Sequence, residues 1–239
     1  MRESASPESL CSGMKFRAFA TDYDGTLATA GTVDAETLEA LQRLRASGRI
    51  LVLVTGRELD ELIKVFPGWG IFHRIVAENG ALLFDPRSGA TQELGTAPPP
   101  EFVESLRRKR VEPISVGRVI VATREPHAAA VHQTIQELKL PLKVHLNKRA
   151  IMVLPPAVDK GTGLVTALEE FQLEPQDTLG VGDAENDLSF LNLCGFSVAV
   201  ANALPEIKRM CNWTSTRERG AGVRELIQKL DQDGSGAEW

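Results

Sequence analysis

Residues 15–27 read Lys-Phe-Arg-Ala-Phe-Ala-Thr-Asp-Tyr-Asp-Gly-Thr-Leu, an apolar run that stops on Asp22 and turns over Asp24-Gly25-Thr26. The run has the composition of a strand, and the sequence after it keeps repeating one pattern: apolar strand, polar stop, amphipathic helix. A helix is expected over 34–47, with Leu38, Leu41 and Leu44 as its stripe and Gly48 as its stop. Arg49-Ile-Leu-Val-Leu-Val54 is a continuous apolar run of the kind buried on both faces of a sheet, and it halts at Thr55-Gly56-Arg57. Ile75-Val76-Ala77 forms a third strand that halts at Glu78-Asn79-Gly80. The pattern returns late in the chain. A helix over 161–171 leads to the strand Thr178–Val181, which stops at Gly182-Asp183. A helix carrying Leu188 and Leu191, the strand Phe196–Val200 and a last helix over 222–230 follow. Such units predict a parallel sheet covered on both faces.

The middle of the chain has another texture. From about Leu82 to Pro156, short strand candidates (81–84, 90–94, 118–123, 142–146, 150–154) and two helices (101–110, 126–138) are separated by polar turns, as in a small antiparallel α+β module. The expectation is an α/β protein: a doubly wound, Rossmann-like core over 14–84 and 157–230, interrupted by an inserted domain over 85–156. Residues 1–13 and 231–239 are expected to be flexible tails.

The 239 residues, 43% of them hydrophobic, suffice for one large domain or a domain carrying a smaller one. No apolar stretch reaches the roughly 18 residues of a membrane-spanning helix. The net charge of -5 argues against a nucleic-acid surface, and the basic run Arg107-Arg108-Lys109-Arg110 reads as a solvated helix end. Three cysteines, Cys11, Cys194 and Cys211, lack CxxC spacing, so neither a disulfide framework nor a zinc site is expected and a reducing cytoplasm is. Residues 1–13 are polar, with no apolar core of a secretory signal, and read as a dispensable extension.

Ligands of an open parallel sheet bind beyond the carboxyl ends of its strands. The residues expected there are Asp22-Tyr-Asp24-Gly-Thr26, Thr55-Gly56-Arg57, Glu78-Asn79-Gly80 and Gly182-Asp183-Ala-Glu-Asn186-Asp187. Carboxylates that converge at one sheet edge repel one another, and a divalent cation relieves that cost; oxygen donors of this kind suit Mg²⁺. A metal site beside a carboxylate able to form an aspartyl-phosphate points to phosphoryl transfer. Lys160, opening a helix, could neutralise the nucleophile and a bound phosphate. Each piece has a plainer reading when it stands alone. Asp-x-Asp-Gly-Thr could be a turn, Thr55 a helix cap, and Lys160 a surface lysine. Other sites fail on detail. A calcium loop from Asp22 would need glycine where Leu27 stands, and Gly161-Thr-Gly163 and Gly180-Val-Gly182 lack the third glycine of a dinucleotide fingerprint. None of the four histidines pairs with a Ser or Cys nucleophile.

Taken in order and spacing, these residues resemble the haloacid dehalogenase superfamily of phosphatases. Asp22-Tyr-Asp24-Gly-Thr26-Leu27 is similar to the first family motif and Thr55-Gly56-Arg57 to the second. Lys160 in Asp-Lys-Gly is similar to the third, and Gly182-Asp183-x-x-Asn186-Asp187 to the fourth. The resemblance implies that Asp22 attacks phosphorus while Asp24 protonates the leaving alcohol and then activates water. It implies Mg²⁺ on the Asp22 carboxylate, the Asp24 carbonyl and Asp183, with Asp187 as a further ligand or supporting partner. Thr55 with Gly56-Arg57, Lys160, Asn186 and Asn79 would line the phosphate and substrate. An insert after the third strand matches the C2-type cap of the Cof-like branch, whose members include phosphoglycolate, sucrose-phosphate and mannosylglycerate-phosphate phosphatases. The expected ligand is a small phosphorylated metabolite such as a sugar phosphate or phosphoglycolate-like acid, and the expected state a monomer or homodimer. Asn147-Lys148-Arg149, before the last strand of the insert, could meet an anionic substrate tail or simply form a hairpin turn. A phosphomutase using the same aspartyl-phosphate and a non-catalytic regulator remain as alternatives, with a nucleotide-binding dehydrogenase more remote.

Overall fold

The computed structural model describes residues 16–233. In chain order the elements are β1 (Ala18–Thr21), α1 (Ala35–Ala46), β2 (Ile50–Val54), α2 (Leu59–Val65), β3 (Arg74–Ala77), β4 (Leu82–Phe84) and β5 (Thr91–Glu93). Next come α3 (Pro100–Arg108), β6 (Ser115–Val116), β7 (Val121–Arg124), α4 (Ala128–Glu137), β8 (Lys143–Asn147) and β9 (Ala150–Leu154). The last described elements are α5 (Lys160–Glu169), β10 (Thr178–Gly182), α6 (Leu188–Leu191), β11 (Phe196–Ala199), α7 (Pro205–Met210), β12 (Trp213–Thr214) and α8 (Arg219–Asp233).

Two sheets result. The larger runs β12-β11-β10-β1-β2-β3-β4-β5, parallel from β12 to β3 and antiparallel over β3-β4-β5. The expected doubly wound α/β core is therefore present. Every residue of β1, β2 and β10 is buried, as the unbroken apolar runs require. From β1 the chain builds outward through β2 and β3, then returns to the other flank of β1 as β10. The strand order reverses between β1 and β10, where Thr21 lies opposite Val181 in register. A crevice at such a reversal is where doubly wound folds place ligands.

The helices fix the strand ends. Asp34 accepts the Thr37 amide at 2.8 Å to start α1, and Leu41 and Leu44 are buried while Leu38 is only partly so. In α5, Asp159 accepts the Thr162 amide at 2.9 Å and Thr162 Oγ1 accepts the Asp159 amide at 3.0 Å. That reciprocal cap pins the first turn. The turn sits hard against β3: a Cβ on Gly80, at φ +106°, would lie 1.9 Å from the Asp159 carbonyl oxygen, so only glycine fits.

The smaller sheet, β6-β7-β9-β8, is antiparallel. One face packs on α3 and α4 through Phe102, Val103, Leu106, Val121, Val131, Ile151 and Val153. The other turns toward the large sheet, with Val119, Ile120, Met152 and Leu154 clustered against Ala81 and Val158. Strand β5, placed beyond the expected boundary at 84, pairs with β4 as the edge of the large sheet. Its three residues are exposed, so hydrophobic patterning carried no sign of which sheet it would join. The last helix continues to Asp233 past its expected end at Leu230. The rest of the expected tails, 1–13 and 234–239, lies outside the described residues. Helix α7 and strand β12 had no expectation, both being too short to show a period. Among the described residues no helix is long and apolar enough to cross a membrane. The basic run ends α3 as expected, with Lys109 paired to Glu137 at 2.6 Å.

Candidate active site

Asp22 leaves β1 with its amide donated to the Val181 carbonyl at 3.0 Å, so its carboxylate emerges beside the end of β10. Lys160, the first residue of α5, is fully buried. Its Nζ donates to Asp22 Oδ1 and Asp187 Oδ1, each at 2.6 Å. The other Asp187 oxygen accepts the amides of Asp183 at 2.8 Å and Ala184 at 3.0 Å. Asp187 thus organises its own loop while anchoring Lys160. Asp183 accepts from Thr26 Oγ1 at 3.3 Å and from Lys148 Nζ at 2.9 Å. Gly25, at φ +91°, lets the first loop close on this group, since a Cβ there would come within 2.5 Å of Asp183 Oδ2.

Asp22, Asp183 and Asp187 each place an oxygen within 4.8 Å of the others, and all three are buried. Burial pushes the Asp22 carboxyl well above the usual carboxylate range, and the neighbouring Asp187 and Asp183 add to this against the pull of Lys160. Asp183 is raised too, by burial and by Asp187, with Lys148 and Lys160 opposing. Burial depresses the Lys160 ammonium, but Asp187 and Asp22 outweigh it and hold the lysine charged. With all three carboxylates ionised, the two lysines that touch them, Lys160 and Lys148, leave one negative charge unmatched. A donor set made wholly of carboxylate oxygens fits a hard divalent cation, which would relieve that excess.

The remaining expected residues surround the cluster. Thr55, buried at the end of β2, accepts the Arg57 amide on Oγ1 at 3.1 Å and so leaves its hydroxyl hydrogen free to donate. Asn186 Nδ2 donates to Asn79 Oδ1 at 2.9 Å. Asn79 Nδ2 and Asn186 Oδ1 are buried without a hydrogen-bond partner, a cost that an incoming polar ligand would remove. The Asp24 carboxylate stands apart from the three-carboxylate group. Arg57 grips it with two bonds, Nε to Oδ2 at 2.6 Å and Nη2 to Oδ1 at 2.8 Å, while also pairing with Glu61 at 3.2 Å.

The smaller sheet reaches into the same crevice. A Cβ on Gly56 would lie 3.4 Å from Met152 Sδ and 3.6 Å from Asn186 Nδ2, so β9 roofs the second loop. Lys148, at the β8–β9 turn with φ +54°, crosses to Asp183. Of the run 147–149, only Lys148 is joined to the carboxylate cluster by a hydrogen bond. Glu78 had no expected role beyond ending a strand at this edge, yet it is buried and accepts three amides from the insert. The only sequence signal for it was its place at a strand stop, just before Asn79-Gly80.

The chain matches the family model of haloacid dehalogenase-like hydrolases over residues 19–94 and 97–227. It is 30% identical over 222 residues to a phosphoglycolate phosphatase of Methanothermobacter thermautotrophicus, covering 90% of this chain and 98% of that one. It is 29% identical over 228 residues to a phosphoglycolate phosphatase of Nitrosopumilus maritimus, covering 91% and 97%. Among solved structures, a haloacid dehalogenase-like hydrolase from Bacteroides thetaiotaomicron superposes with a TM-score of 0.76 at 19% identity, over 90% of this chain and 100% of that one.

Proposed function

The chain belongs to the haloacid dehalogenase-like hydrolases and is a phosphoric monoester hydrolase, and from that premise we propose that it cleaves a small phosphorylated acid of the phosphoglycolate type through Asp22. One observation carries this reading. A buried aspartate sits at the strand-order reversal, bonded to a buried lysine and within 4.8 Å of two further carboxylates.

In the proposed reaction an Asp22 oxygen forms a bond to phosphorus as the bond from phosphorus to the alcohol oxygen breaks. Asp24 delivers a proton to that departing oxygen. Asp24 then takes a proton from water as the water oxygen attacks phosphorus, which frees inorganic phosphate and restores the Asp22 carboxylate. Both Asp24 oxygens lie in the Arg57 fork, so substrate entry must open the fork before the proton moves. Lys160 holds the attacking oxygen in place and balances its charge. Thr55 and Asn79 donate to phosphoryl oxygens, supported by the free hydroxyl hydrogen of one and the unpartnered buried amide of the other. Mg²⁺, held by Asp22, Asp183 and the Asp24 carbonyl, would offset the negative charge on the transferring group. Both Asp187 oxygens are engaged, which suits a part in orienting Lys160 and the 183–187 loop.

The insert, taken as residues 98–156 because β5 lies in the large sheet, acts as the cap that chooses the alcohol. A carboxylate on the leaving group would draw Lys148 from Asp183. This reading rests on the reach of that lysine into the crevice and on the names of the two relatives. The test is phosphate release with Mg²⁺ from a panel holding phosphoglycolate, other phosphorylated acids and neutral sugar phosphates. Release that is fastest from the short acids and stops with EDTA is the expected result. Release from sugar phosphates alone would refute the acid preference, and no release from any member would refute the phosphatase reading.

A further inference from the structure

The turn Gly117–Ile120 joins β6 to β7 and closes on a bond from the Gly117 amide to the Ile120 carbonyl at 2.9 Å. Its next three amides converge on one point. Arg118 donates to Glu78 Oε1 at 2.9 Å, and Val119 and Ile120 donate to Oε2 at 2.8 and 2.9 Å. Successive amides of this kind form an anion-binding nest, and here the anion is a side chain of the other sheet. Gly117 is shaped for it. The three atoms nearest to a Cβ there would all belong to the Glu78 carboxylate, the first at 2.7 Å. Beside the contact a cavity of about 190 Å³ opens among Glu58, Asp60, Glu78 and Arg118.

Glu78 is held equally firmly from below. Its backbone is left-handed, φ +51°, as is that of Asn79, φ +56°. Both conformations are costly for residues with a Cβ and persist only where neighbours enforce them. The Glu78 amide donates to the Arg57 carbonyl at 2.9 Å and the Asn79 amide to the Thr55 carbonyl at 2.9 Å, while the Asn79 side chain binds Asn186. One dipeptide therefore ties the 55–57 and 183–187 loops to the insert. From the nest the linkage runs through paired strands: Ile120 leads into β7, Ala122 pairs with Met152 on β9, and the β8–β9 turn carries Lys148.

We propose that Glu78 is a positioning residue that docks the insert through this nest. It sets the height of Met152 and Lys148 above the phosphoryl site, and so the affinity for the part of the substrate beyond phosphorus. The proposal rests on the phosphatase reading for its kinetic arm alone. Glu78→Gln keeps the size of the side chain but loses its charge and turns one acceptor into a donor facing amides. Gly117→Ala pushes the carboxylate out without altering it.

The experiment combines amide hydrogen exchange with kinetics on wild type and both variants. Exchange at 118–120 is expected to accelerate at least about 10-fold, with β1 and β2 unchanged. KM for phosphoglycolate is expected to rise about 10-fold with kcat within about 3-fold, while inhibition by inorganic phosphate, which needs only the lower site, stays constant. Unchanged protection at 118–120, or a KM that moves only in step with phosphate inhibition, would overturn the proposal. Wild type that turns over no phosphomonoester, with protection at 118–120 still lost in the variants, would defeat the phosphatase reading and leave the docking role standing.

Discussion

The two sheets are built to different standards of order. In the large one, β1, β2 and β10 are buried throughout and hydrogen-bonded on both sides, and the ends of β1 and β10 carry the carboxylates. In the small one, β6 is exposed and β8 is half-exposed or exposed along its length, and the apolar cluster beneath is far smaller. Reaction geometry needs tolerances of a fraction of an ångström, which strands locked on both faces supply. Choice among leaving groups needs a surface that can change without disturbing that geometry. The insert meets the crevice through a few points: Glu78 in its nest, Met152 over Gly56, and Lys148 on Asp183.

The largest effect is expected where the large sheet does chemistry. Asp22→Asn should lower turnover by about 10⁴-fold or more while the fold persists, as steady-state kinetics and circular dichroism would show. Lys160→Met should cost both activity and stability, since it strands two buried carboxylates. Removing one partner of a buried pair costs about 3–5 kcal/mol, and Mg²⁺ should recover part of the lost Tm. Phe102→Ala empties the core of the insert at a cost of about 3–5 kcal/mol. Hydrogen exchange should then report lost protection in β7 and β9 with β1 and β2 intact; loss in both sheets together would erase the contrast. Lys148→Met should lower kcat/KM for phosphoglycolate by about 10–100-fold, the worth of one charged hydrogen bond, and leave neutral esters nearly unchanged.

Much of the core was legible because burial on both faces writes itself as unbroken apolar runs. Ile50–Val54 and Ala150–Leu154 stand where the sequence put them. The carboxylate site was legible for a related reason: a polar residue ending a buried strand must face the ligand crevice, and Asp22 and Asp183 do. What stayed hidden depends on partners distant in sequence. Nothing local in Thr91–Glu93 says which sheet it joins, and no periodicity shows that Arg57 takes the Asp24 carboxylate or that Glu78 is met by amides 118–120.

The smallest predicted effect lies far from the site. His73 accepts the Leu51 amide at 2.9 Å, and burial, with Arg45 and Arg74 nearby, lowers its pKa from 6.5 to about 4. The unfolded chain takes up this proton near pH 6.5 and the folded chain only near pH 4, so the stability that neutral His73 confers is complete above the first value and is lost as pH falls toward the second. Urea unfolding at pH 7 and pH 5 should show that loss, and His73→Asn should flatten it.

The most direct test of the account is covalent. Phosphoglycolate labelled with ³²P, mixed with the Mg²⁺-loaded protein and quenched in acid, should leave label on the peptide that contains Asp22. Hydroxylamine should remove that label, and Asp22→Asn should never acquire it. Phosphate released at an undiminished rate by Asp22→Asn, with no labelled peptide in either protein, would contradict the assignment of Asp22 as the nucleophile.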